Sequence, residues 1–155
     1  MTDHMEGGCL CGGVQYRIEG KPIVCLACHC TFCQRLTGSA YSSVAYFKET
    51  QVTIAGDIKE YEHRSDETGR ATALKFCPRC GVTIAHVAEA RPGWMGVEIG
   101  TLHDKSGARL ERHVWVRSKQ PWTAIPDDVD LYDKGSADGA EPIRRAVRAD
   151  PRASK

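Results

Sequence analysis

At 155 residues the chain is long enough for one domain to bury a core without disulfide staples. Its 21 basic and 20 acidic residues leave a net charge of +1, which argues against nucleic acid or a membrane surface as partner, since both favour a basic excess. Apolar residues at 41% and charged residues at 26% are the balance of an ordinary globular protein, and no apolar run approaches the ~18–20 residues of a bilayer span. The first eight residues hold no apolar core of a secretory signal, so a cytoplasmic location is expected. Eight cysteines in that reducing compartment read as metal ligands before disulfides.

Residues 1–8 read as a flexible lead-in. A C-x-C follows, Cys9-Leu10-Cys11, with glycines on both sides that permit the close backbone turns of a metal knuckle. Val14, Tyr16 and Ile18 alternate with polar residues, the period of a half-buried strand. After a turn at Gly20-Lys21-Pro22 comes the densest stretch, from Cys25 through Cys28, His29 and Cys30 to Cys33, with four of the eight cysteines in nine residues. Residues 31–36 suit a helical turn carrying Cys33, closed by Gly38 as its C-terminal cap. Strands are expected at 40–47, 52–54, 58–63 and 71–76, the last running into Cys77-Pro78-Arg79-Cys80-Gly81. Further strands at 82–87, 94–99 and 113–116 bring the total to about nine with no long helix, an all-β architecture. Trp94, Trp115 and Trp122 are assigned to the core or its wall. Beyond Trp122 the apolar density falls; a domain over 1–133 with a flexible tail over 134–155 is expected.

In Cys77-Pro78-Arg79-Cys80-Gly81 the proline stiffens the turn, the glycine takes the strained dihedral and both sulfurs point inward, as a zinc knuckle requires. One knuckle supplies two ligands. Cys9 and Cys11 are the natural second pair, because the 25–33 run can supply three ligands by itself. The result is a closed four-thiolate site whose metal affinity becomes folding free energy. Cys28, Cys30 and Cys33 can converge from one short loop at little closure entropy, which leaves a tetrahedron incomplete. The fourth position is open in one reading and filled by Cys25 in a second. His29, between two inward-facing cysteines, is expected to face away as a surface imidazole rather than to bind metal, and the last reading has no metal at all. Zinc held by three thiolates carries a net charge of about −1, so it activates water poorly and accepts another sulfur well. A thiol is then the preferred fourth ligand.

Three motifs, from Gly8 to Val14, from Cys28 to Arg35 with Gly38, and from Phe76 to Gly81, stand in an order and separation that resemble one family. It is the glutathione-dependent formaldehyde-activating enzyme family, which also includes centromere protein V, and the resemblance spans about residues 7–122. It implies a β-tent fold of short antiparallel strands holding two zinc ions. By it, Cys9, Cys11, Cys77 and Cys80 hold a structural zinc, and Cys28, Cys30 and Cys33 a catalytic one. It also implies a carbon–sulfur lyase activity, joining glutathione as co-substrate to formaldehyde as S-hydroxymethylglutathione. Cys25 has no place in that pattern. Glutathione carries two carboxylates, so its pocket calls for a cation, and Arg35 and Arg79 beside the cysteine motifs are the candidates. The rival readings are a non-catalytic zinc scaffold for a protein partner, with Cys25 closing the second site, and a thiol redox or metal-storage protein.

Overall fold

The computed structural model describes residues 4–137 and 139–147; residues 1–3 of the expected lead-in, and residues 138 and 148–155 of the expected tail, lie outside the described residues. In chain order the strands are β1 (His4–Gly8), β2 (Val14–Glu19), β3 (Val24–Cys28), β4 (Ser42–Lys48), β5 (Val52–Gly56), β6 (Lys59–Arg64), β7 (Ala71–Phe76), β8 (Thr83–Ala88), β9 (Trp94–Glu98), β10 (Arg112–Val114) and β11 (Asp130–Leu131). A single α-helix, α1 (Thr31–Thr37), is the only one among the described residues, so the expected all-β class holds. Two compact units emerge. One comprises the described residues up to Cys25 together with Ser43–Arg109, the other Leu26–Ser42 and the described residues from Leu110 onward.

In the first unit β1, β2 and β5 form an antiparallel sheet with β2 central. The alternation read in β2 is what the sheet uses: Val14, Tyr16 and Ile18 are buried while Gln15, Arg17 and Glu19 face water. Residues 4–8 are not a flexible lead-in. His-Met-Glu-Gly-Gly has no period of its own, yet each residue pairs with β2, from His4 opposite Glu19 to Gly8 opposite Gln15. Gly7 allows that pairing, since a Cβ there would stand 2.2 Å from the Tyr16 hydroxyl.

The same unit carries β4, β9, β8, β7 and β6 as consecutive antiparallel neighbours. Val44, Phe47, Ile84 and Val97 are buried in its core. A buried polar chain also links three of these strands: the Tyr46 hydroxyl lies 3.0 Å from His86 Nε2, and His86 Nδ1 lies 3.4 Å from Glu98 Oε1. A register shift between Lys75 and Phe76 swings the end of β7 into the Cys77 turn.

In the second unit β10 runs parallel to both β11 and the end of β3, placing Val114 opposite Cys28. Strands β1, β3 and β11 exceed the sequence expectation because pairing with β2 and β10 creates them. The described part of the segment beyond 133 is hydrogen-bonded: Leu131 bridges Arg144, and the Val147 N–H donates to the Asp127 carbonyl at 2.9 Å. Trp122 is not core or wall. It is 76% exposed, whereas Trp94 and Trp115 are partly buried.

Candidate metal centres and active site

The turn after β1 and the turn after β7 are built alike. The Cys9 N–H donates to the Val14 carbonyl at 2.9 Å and the Cys77 N–H to the Val82 carbonyl at 3.0 Å, each closing a loop around a left-handed glycine, Gly12 at φ 74° and Gly81 at φ 75°. These loops gather Cys9, Cys11, Cys77 and Cys80 so that all four sulfurs lie within 4.8 Å of one another. Cys9 and Cys11 are 3.6 Å apart, Cys11 and Cys77 3.7 Å. Sulfurs on a tetrahedral zinc at ~2.3 Å stand about 3.8 Å apart, so this set fits the ion. Backbone N–H groups of Val82 and Cys11 hold the Cys80 thiol down to about 6, the thiolate that a metal needs.

The second cluster comes from one continuous turn. Cys28 ends β3. Cys30 is the N-terminal cap of α1, its sulfur accepting the Cys33 N–H at 3.4 Å, and Cys33 lies in the first turn. Gly38 closes the helix at φ 64°, with its N–H on the Gln34 carbonyl. Cys28 and Cys30 sulfurs are 3.5 Å apart, and all three lie within 4.8 Å. Among the described residues no fourth sulfur, imidazole or carboxylate joins this group. Cys25 stays out because residues three apart on a strand point to opposite faces. Hydrogen bonds from Cys28 and Cys33 hold Cys30 down to about 3, while Cys28 is pushed up to about 12 and Cys33 is pushed up as well. Three sulfurs this close share their protons and cannot all ionise without a cation among them, which is the donor-set argument for a metal.

A frame of side chains grips this turn from the segment after β10. Gln34 Nε2 donates to the His29 carbonyl at 2.7 Å and to the Ser118 carbonyl at 2.9 Å, and Gln120 Nε2 donates to Gln34 Oε1 at 2.6 Å. The His29 N–H donates to the Val114 carbonyl at 3.0 Å. His29 is a correction to the sequence reading. It does turn from the sulfurs, but into packed protein and not into water: its side chain is fully buried, with Nε2 2.8 Å from His113 Nδ1 and the Tyr41 ring centroid 5.1 Å away. Burial, with His113 and Lys119 nearby, pushes the His29 pKa down to about 4, so the ring is neutral at physiological pH.

Arg35 lies exposed on α1, beside Cys33. Arg79 lies exposed in the four-sulfur knuckle of the first unit. Sequence reasoning missed His113, Gln120 and Lys119. They carry no cysteine-like spacing, and only their approach to the 28–34 turn gives them meaning. Gln34 was inside a motif but had no assigned partner.

Fold and site together define a class: a small all-β chain with one four-sulfur and one three-sulfur cluster, each able to hold zinc. The family model described as glutathione-dependent formaldehyde-activating enzyme matches residues 4–118. The chain belongs to that family. No curated protein matches it. Among solved structures, the crystal structure of a Rhodobacter sphaeroides protein is similar in fold, with a TM-score of 0.52 and 23% identity over 64% of this chain and 88% of that one. No helix among the described residues is long and apolar enough to cross a membrane.

Proposed function

We propose that the protein is a cytoplasmic, zinc-dependent carbon–sulfur lyase that joins glutathione to formaldehyde or a similarly small carbonyl compound. The observation that carries this reading is the contrast between the clusters: four sulfurs in the first, three in the second, within a chain of this family. Cys9, Cys11, Cys77 and Cys80 would hold a structural zinc, and Cys28, Cys30 and Cys33 a catalytic one. Zinc at the second cluster would supply one further coordination position suited to a soft thiolate.

In the reaction the thiol sulfur forms a bond to the carbonyl carbon as the C=O π bond breaks. The thiol proton is lost, a proton ends on the new hydroxyl oxygen, and no oxidation state changes overall. The protein's contribution is position and charge. Gln34 and Gln120 lock the 28–34 turn to the segment after β10, so the sulfurs keep their geometry through turnover. His29 and His113, buried against each other, brace the same turn. Arg35 offers a guanidinium to a glutathione carboxylate from the helix that carries Cys33, and Arg79 is the second candidate.

The test is exchange spectroscopy by NMR on carbon-13 formaldehyde with glutathione. The zinc-loaded protein is expected to accelerate exchange between free formaldehyde and the hydroxymethyl thioether. Cys30→Ser should abolish the acceleration. Equal exchange rates with and without protein would sink the enzymatic reading and favour the scaffold, although that alternative needs Cys25 as an eighth ligand and Cys25 stands outside the sulfur group.

A further inference from the structure

We propose that the Lys119 ammonium anchors a carboxylate of the thiol co-substrate beside the three-sulfur cluster. This rests on the reading above, in which a glutathione-like peptide thiol enters that cluster. The placement follows from the frame around Gln34. Ser118 and Gln120, the two neighbours of Lys119, both hydrogen-bond the side chain of Gln34, and Gln34 directly follows Cys33. The backbone at 119 is therefore within one side chain's reach of the turn that carries the thiolates.

The ammonium itself is fixed. Lys119 Nζ donates to the Gln120 carbonyl at 3.0 Å and to the Thr123 carbonyl at 2.8 Å. An ammonium has three N–H donors, so one remains for a ligand. Among the described residues no carboxylate lies within ion-pair distance of it, whereas other cations of the unit are engaged: Arg117 with Asp133, Arg144 with Asp127, Arg145 with Glu141, and Arg112 over the Tyr132 ring. Lysine loses much rotamer entropy when a ligand has to order it, and here the main chain has already ordered it. Arg35 is exposed and makes no hydrogen bond or ion pair among the described residues, so it would have to be ordered at binding.

The loop that Lys119 closes also carries Trp122, 76% exposed, the most exposed large apolar side chain among the described residues of the second unit. A fixed positive charge in the same loop as an unburied indole suits a small peptide with a terminal carboxylate better than it suits a bare inorganic anion.

The experiment is titration calorimetry on the zinc-loaded full chain, with glutathione and with its diethyl ester, in which both carboxylates are capped. The parent should bind the ester at least about tenfold more weakly than glutathione, the usual worth of one charge-assisted bond. Lys119→Gln, which keeps a donor for the Gln120 and Thr123 carbonyls, should bind glutathione about tenfold more weakly and discriminate against the ester about tenfold less than the parent does, at unchanged zinc content. Equal affinity of the parent for the two thiols overturns the proposal without any variant, and so does a Lys119→Gln protein that discriminates between them as strongly as the parent. A parent that binds neither thiol overturns the thiol reading itself, and the subsite with it.

Discussion

Whether a cysteine is a ligand depends on where its sulfur points, and Cys25 and Cys28 make the comparison within one strand. Both belong to β3, yet only Cys28 enters a sulfur group. Cys25→Ser is therefore expected to keep about two zinc ions per chain, with the sulfur count at the zinc edge in X-ray absorption unchanged. Cys80→Ser should behave oppositely, because losing one thiolate from a closed site forfeits much of the ~10 kcal/mol of apparent metal binding that supports folding. A melting curve equal to the parent's would remove the structural role. Tyr16 sets a pH limit of another kind. Burial raises its pKa to about 12, and the Glu98 charge assists. Thr101 already donates its hydroxyl to the Glu98 carbonyl, so Tyr16 must be the donor at 2.8 Å to Thr101. The folded chain keeps this proton longer than the unfolded chain, whose tyrosines titrate near pH ~10. Its stabilising effect is complete below pH ~10 and is lost as pH rises toward about 12. Tyr16→Phe should cost about 1 kcal/mol at neutral pH and flatten that alkaline limb in denaturant titrations.

Among the elements, α1 is seven residues with no buried side chain, too short to persist alone. Its ends hold it: the Cys30 sulfur at the start, Gly38 at the close, and Gln34 tied across to Ser118 and Gln120. A Cβ on Gly38 would meet nothing within 4 Å, so Gly38→Ala isolates the strain of a left-handed cap, about 1 kcal/mol, read as a drop of a few degrees in melting temperature. Gln34→Ala acts on the metal instead. It should weaken zinc at the second cluster about 10–100-fold in chelator competition and leave the four-sulfur zinc in place. Uniform weakening of both zinc ions would show that Gln34 supports the fold and not the site. The helix and the strand β2 were legible in advance, since a cap or an alternating pattern lies within the segment itself. Strands β1 and β11 were not, because Gly7 and Gly8 or a two-residue pair acquire strand geometry only from their partners.

For the molecule as a whole, the unequal clusters predict stepwise metal loss. Titration with a strong chelator should remove the three-sulfur zinc first with the secondary structure retained, and the four-sulfur zinc later with loss of the β-type circular dichroism. A single concerted step would tie both clusters to one folding event. By itself the sequence determined the chemistry that is local. The two knuckles, the three-cysteine turn and the alternating strands are each complete within a few residues, where covalent geometry decides which side chains converge. Only the tertiary structure decided what surrounds them. His29 meets His113 across 84 positions and Gln34 meets Gln120 across 86, and no periodicity links such residues in advance. The burial of His29 and the frame around Gln34 follow from that packing, because burial and hydrogen-bond compensation depend on neighbours that the chain brings together only by folding.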